Sequence, residues 1–97
     1  QNFDQSVVRV KEEELANLKR LAKVYAAMTP EGAATIVKEM NEIEAVKVLA
    51  FMKDNETASV LEALAKISPF EAKRAARLSE KLRLAVFRGP TEKAKSS

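Results

Sequence analysis

The side chains of this sequence that could carry out acid–base or metal chemistry are its carboxylates. They gather in two places, the run Glu12-Glu13-Glu14 and the pair Glu42 and Glu44. Carboxylates catalyse proton transfer or bind a metal ion where they converge in a cleft. The run lies on one face of the predicted first helix, and the pair lies at a predicted helix start. Both are typical of acids near a helix start, where negative charge interacts favourably with the helix dipole. We therefore expect structural roles, and the sequence predicts no metal site.

The amino-acid composition excludes most other chemistry. The 97 residues contain neither cysteine nor histidine, which excludes disulfides, thiolate nucleophiles, zinc fingers and Ser-His-Asp or Cys-His catalysis. Two glycines and three prolines are too few turn residues for a β-sandwich or a phosphate-binding loop. We expect an all-α protein that is not an enzyme and holds no cofactor.

A basic stripe lies near the carboxy-terminal end. On an ideal helix that starts at Phe70, five cations fall within roughly 100° of arc; these are Lys73, Arg74, Arg77, Lys81 and Arg88. Residues 66–97 carry a net charge of +6, whereas residues 1–65 carry −3. Such a stripe can face water, an acidic protein or a nucleic acid. Because aromatic residues make up only 5% of the chain and its first two thirds are acidic, nucleic acid is disfavoured.

Two phenylalanines flank this stripe. Phe70 and Phe87 lie near the ends of the predicted last helix, away from its apolar face. They either pack onto a neighbouring helix or form an exposed apolar patch beside positive charge, which is typical of a protein-binding site. The candidate partner-binding residues are therefore Phe70, Lys73, Arg74, Arg77, Lys81, Phe87 and Arg88. The predicted core face of the same helix comprises Ala75, Leu78, Leu82, Ala85 and Val86.

An internal repeat organises the middle of the chain. Units begin at Met28, Met40, Met52 and Ile67, which are separated by 12, 12 and 15 residues. Each unit continues with a helix-capping residue and then with apolar residues at helical spacing. Helices this short are not stable alone, so we expect them to stack on one another, with the methionines packed between them.

The predicted helix starts follow from this pattern. Thr29 precedes Pro30, and Ser68 precedes Pro69, which is the favoured order of N-cap and first helical residue. Ser68 with Glu71, and Asn41 with Glu44, match the capping box. In the third unit we expect Asp54 to be the cap. Residues 69–87 are predicted as the last helix.

A longer helix is predicted ahead of the repeats, over residues 6–27. Leu18, Leu21, Tyr25 and Met28 follow a 3–4–3 spacing, which is typical of a coiled-coil seam or a core-facing stripe. We expect this seam to pair two copies of the chain or to fold onto the repeats. The β-branched residues Val7, Val8 and Val10 allow the first turns to fray or to be extended.

The predicted architecture is thus five helices, one long, three short and one long, in a solenoid-like stack. Residues 1–28 form a helical dimerisation arm, residues 29–88 form the repeat domain, and residues 89–97, which begin with Gly-Pro, form a disordered tail.

The run from Leu21 to Leu84 resembles the short-helix repeat of the MgtE amino-terminal superfamily. Two phrases within it are most similar to MotE-like motility proteins: Tyr25, Met28, Pro30, Ala33 and Ala34, and then Ser68, Pro69 and Ala72. This group includes the collar protein FlbB of spirochaete flagella. The resemblance implies an armadillo-like or FliG-like right-handed superhelical stack. It also implies a periplasmic scaffold domain that assists assembly of the flagellar motor, with stator or collar proteins as partners.

Two departures guide this expectation. The Glu-His-Pro-Gln phrase of FliG is absent because the chain has no histidine, and the carboxy-terminal end is basic, unlike a magnesium-sensing domain. The alternatives that stay open are a cytosolic Mg²⁺-sensing domain of an MgtE-type transporter and a helical nucleic-acid-binding domain. Since the sequence begins at Gln1, we expect a piece of a longer protein. The resemblance implies that the missing part holds a membrane anchor.

Overall fold

Five helices make up most of the part of the chain that the structure describes, and the predicted all-α class is confirmed. The computed structural model describes residues 6–88, and the side chains of residues 10–85. The elements are β1 (Ser6–Arg9), α1 (Glu12–Ala26), α2 (Pro30–Val37), α3 (Glu42–Ala50), α4 (Asp54–Ala65), α5 (Pro69–Leu84) and β2 (Ala85–Arg88). The predicted tail, residues 89–97, lies outside the described residues.

Three helices begin where the capping residues predict. The side chains of Thr29, Asn41 and Ser68 each accept a hydrogen bond from the amide three residues later, at 3.1, 2.8 and 3.1 Å. Pro30 and Pro69 are the first helical residues, where the missing N–H is not needed. These side chains thereby satisfy amides that the helix itself leaves unpaired.

The predicted cap of α4 is wrong by one residue. The N-cap is Lys53, and Asp54 is the first residue of the helix. The carboxylate of Glu56 accepts a hydrogen bond of 3.0 Å from the Lys53 amide and so closes the turn from the other side. With this correction the N-caps of α2 to α5 keep the repeat spacing of 12, 12 and 15 residues.

The predicted capping box at the start of α5 forms only in part. The Glu71 amide donates to Ser68, but Glu71 Oε1 is buried without a hydrogen-bond partner within the described part of the chain. The reciprocal half of the box through this oxygen is therefore missing.

The core lies between helices that are mostly next but one in sequence. Helix α1 packs on α3, α2 on α4, and α3 on α5, while α4 and α5 pack as neighbours. The largest fully buried side chains are Val37, Leu49, Leu64 and Leu78. The methionines that open the repeat units pack as predicted, with Met52 buried and Met28 and Met40 partly buried against the core.

Ile36 lies outside the buried face of α2 although it is apolar. Its side chain is exposed, whereas Ala33, Ala34 and Val37 are buried. The short helix places these three residues toward α4 and the core, which leaves Ile36 outside.

Both ends of the fold differ from the predicted helices. Helix α1 begins at Glu12 rather than at residue 6, and α5 ends at Leu84 rather than at residue 87. The residues outside these limits form two four-residue strands that pair in parallel, with Ser6 opposite Ala85 and Arg9 opposite Arg88. Valines favour extended backbone, and the pairing ties the start of the described chain to its end.

Removing one cap tests whether the helix starts stabilise the fold as described. Asn41→Ala should lower the free energy of unfolding by about 1 kcal/mol, because the Glu44 amide loses its acceptor. Thr35→Ala is the control, since it removes only an exposed bond from Thr35 to the carbonyl of Glu31 within α2. Urea denaturation that shows equal effects for the two substitutions would contradict this account.

Candidate docking surfaces

The predicted basic stripe does not lie on one surface, because Arg74 points into the fold. Only 6% of Arg74 is exposed. Its Nη1 donates a hydrogen bond of 3.0 Å to the carbonyl of Val37, and its Nη2 donates to the carbonyl of Met40. Arg74 is therefore a structural residue, and its prediction as a partner contact is corrected.

Helical geometry explains this correction. At 100° per residue, Arg74 lies roughly 40° around α5 from the exposed Phe70 and roughly 40° from the buried Leu78. It thus lies at the border between the surface and the core. The carbonyl of Val37 already accepts a hydrogen bond of 3.0 Å from the amide of Met40, and a carbonyl oxygen can accept a second one. A guanidinium is suited to bind several acceptors at once.

The remaining described cations of the stripe stay at the surface, where α3 contributes a carboxylate. Arg77 Nε donates a hydrogen bond of 2.8 Å to Glu42 Oε2, and Lys81 Nζ lies 3.7 Å from Glu42 Oε1. The side chains of Arg77 and Lys81 are about half exposed, and Lys73 is exposed. The hydrogen bond from Arg77 holds the pKa of the Glu42 carboxyl below its ordinary value, against the opposing effect of desolvation.

Two apolar side chains adjoin these cations at the start of α5. Phe70 is 66% exposed and Ile67, just before the helix, is 41% exposed. We define the α5 surface as Ile67, Phe70, Lys73, Arg77 and Lys81. Sequence reasoning identified all of these as candidate contacts except Ile67, which it named only as the first residue of the last repeat unit.

Glu42 was also missed as a member of this region, because no local pattern connects the start of α3 with α5. The other two predicted contacts, Phe87 and Arg88, belong to β2 beyond the end of α5. Their side chains lie outside the described residues. Since the helix ends at Leu84, the predicted helical arc does not extend to them.

The predicted dimerisation seam is divided between the core and the surface. Leu18 is buried, Tyr25 and Met28 are partly buried against the core, and Leu21 remains 36% exposed. Helix α1 packs on α3 of the same chain. Leu18 is thus a core residue of its own chain rather than a free seam residue.

A groove separates α1 from α3 and has a volume of about 480 Å³. Its apolar lining comprises Leu18, Leu21, Tyr25, Met40 and Val48. At one end Lys47 Nζ donates a hydrogen bond of 2.8 Å to Glu14 Oε2 and joins the two helices. This bond lowers the pKa of the Glu14 carboxyl.

A pair of substitutions separates the buried arginine from its exposed neighbour. Arg74→Met should lower the free energy of unfolding by about 1.5–3 kcal/mol, because two carbonyls lose a charged donor. Arg77→Met should cost less than about 1 kcal/mol, since exposed ion pairs stabilise proteins weakly. Equal losses in chemical denaturation would contradict the structural role of Arg74.

The Glu42 ion pair predicts a pH dependence of stability. A carboxyl whose pKa is lower in the folded state stabilises the protein above its unfolded pKa of about 4.3, and this contribution is lost as pH falls through the folded pKa. Stability of the wild type should thus fall below about pH 5 more steeply than that of Glu42→Gln.

Arg77→Met provides the control for this pH dependence. In the double variant Glu42→Gln/Arg77→Met, the free energy of unfolding should fall at acid pH as steeply as in Glu42→Gln alone. Each substitution removes the same hydrogen bond, so the second one has nothing further to remove. An unchanged slope in Glu42→Gln would show that this contact does not contribute.

Comparison of this chain with known proteins adds no relative to this description. Within the described part of the chain, no group of three His, Cys, Asp or Glu side chains is arranged to hold a metal ion. None of the described helices is long and apolar enough to cross a membrane. Searches against protein-family models, curated proteins and solved structures found no match.

Proposed function

We propose that this chain is a non-enzymatic docking domain that presents the α5 surface to a protein partner. The observation that carries the proposal is the exposed pair Ile67 and Phe70 beside three accessible cations. Aromatic residues, phenylalanine among them, and arginine are enriched at protein–protein interfaces. The partner that fits this surface has an apolar side chain flanked by carboxylates.

The anchoring of α5 supports this proposal. Arg74 joins α5 to the end of α2, and Glu42 joins it to the start of α3 through Arg77. A surface that is ordered before binding loses less conformational entropy when the partner docks. The cations around the apolar pair would mainly steer an acidic partner and fix its orientation.

The resemblance to MotE-like proteins supports a place for this domain in flagellar motility. The proposed partners are stator or collar proteins of the motor. The proposed location is the periplasm, with a membrane anchor in a part of the protein outside this sequence. The N-caps of α2 to α5 keep the spacing of the repeat in which this resemblance lies.

The proposal is tested by complementation in the organism that encodes the chain. The variant Phe70→Ala/Lys73→Glu should fail to restore swimming to a strain that lacks the gene, whereas the wild type should restore it. Both positions are exposed, so the variant should keep the wild-type melting temperature. Arg83→Glu is the matched control, because it reverses a charge on another face of α5 and breaks only an exposed pair with Glu80.

Three results would count against the proposal. Normal swimming of the strain that lacks the gene would remove the role in motility. Full complementation by Phe70→Ala/Lys73→Glu would remove the α5 surface as the docking site. A rise in melting temperature with Mg²⁺ alone would favour a sensing domain instead.

A further inference from the structure

Helix α1 carries opposite charges at its two ends. Its first turn contains the acidic residues Glu12, Glu13 and Glu14, and its second half contains the basic residues Lys19, Arg20 and Lys23. Five of these six side chains are exposed, and Glu14 is partly buried. The helix therefore has an acidic end and a basic end on a surface that the rest of the described chain leaves open.

We propose that two copies of the chain pair through α1 in antiparallel orientation, with Asn17 of each copy near the twofold axis. Reversal of one helix places its acidic end beside the basic end of the other. Because the axis relates the copies, this contact occurs twice. Glu13 of one copy then faces Arg20 of its partner on each side of Asn17.

Apolar side chains lie on the same face of α1 as Glu13 and Arg20. At 100° per residue, Asn17, Leu21 and Val24 fall within roughly 60° of arc. Leu21 is 36% exposed and Val24 is 44% exposed. Leu21 also lines the groove between α1 and α3, so the face continues into that groove. Pairing would shield these side chains from water.

The charge pattern identifies the occupant as a second copy of the chain. An interface with twofold symmetry requires a surface that is complementary to itself, and α1 meets this requirement through the opposite charges at its ends. A parallel arrangement would place acidic end on acidic end and is disfavoured. The surface of one 15-residue helix is small, so we infer a weak dimer whose affinity falls as salt rises.

This dimer differs from the one that the seam pattern predicts. Leu18 is used inside its own chain, so the pairing face keeps Leu21 of the seam and otherwise comprises Glu13, Asn17, Arg20 and Val24. The face shares no residue with the α5 surface. The dimer therefore stands independently of the proposed docking function.

A charge swap tests the pairing. Sedimentation of the wild type at increasing concentration should show a monomer–dimer equilibrium that weakens between about 50 mM and 500 mM salt. Glu13→Arg and Arg20→Glu should each weaken dimerisation about tenfold or more, because like charges then face each other. The double variant Glu13→Arg/Arg20→Glu should restore it, since the pairs re-form with reversed sign.

Cysteine cross-linking tests the orientation in a chain that has no cysteine of its own. An oxidised mixture of Glu13→Cys and Leu21→Cys should yield mostly the mixed cross-linked dimer if the helices are antiparallel. Parallel helices would instead cross-link each variant with itself.

The proposal is overturned by a wild type that stays monomeric, by single charge reversals that leave dimerisation unchanged, or by a double variant that is not rescued. Self-cross-linking of each cysteine variant would overturn the orientation. Because Phe70→Ala/Lys73→Glu leaves α1 unaltered, it should dimerise as the wild type does, and the two proposals can fail separately.

Discussion

The interaction on which the rest of the structure depends is the contact between the Arg74 guanidinium and the carboxyl end of α2. Helix α2 has only eight residues, and the carbonyls at its carboxyl end accept hydrogen bonds from the amides of the turn that follows, which leaves the Val37 oxygen able to accept one more. A guanidinium keeps its charge when buried, and the negative end of a helix dipole offsets part of the cost of burying that charge. Through the carbonyls of Val37 and Met40, one side chain fixes α5 against both α2 and the turn that leads to α3.

The accessible surfaces follow from this contact. With Arg74, Ala75 and Leu78 facing inward, the other side of α5 is left to Phe70 and the cations near it. Glu42 then reaches Arg77 because α3 starts directly after the turn that Arg74 holds. The α5 surface is thus held in place by contacts within the chain, which is what the proposed docking to a protein partner requires.

How much of the fold could be predicted depends on the range of the interactions. The caps at Thr29, Asn41 and Ser68 were predicted because each involves residues three apart. The burial of Arg74 was not, because its acceptors are more than 30 residues away and arginine is usually exposed. The pairing of Ser6–Arg9 with Ala85–Arg88 is also nonlocal. The β-branched residues therefore indicated extended backbone but not the strand with which it pairs.

The candidate sites show the same limit. The exposure of Phe70 was among the predicted alternatives because this residue lies off the apolar face of its own helix. Glu42 belongs to another helix, so the residue pattern near α5 could not predict its contact with Arg77. The 3–4–3 spacing of Leu18, Leu21, Tyr25 and Met28 identifies an apolar stripe. It does not determine whether α3 of the same chain or a second chain covers that stripe, because both partners provide the same apolar environment.

The measurement that tests the central claim most directly is the exchange of guanidinium protons observed by NMR. If Arg74 binds the end of α2, its Nη protons should give resolved signals that exchange with water far more slowly than those of the exposed Arg20. Added salt should not change this difference, because the contact is buried. Exchange of the Arg74 protons at the rate seen for Arg20 would contradict the account.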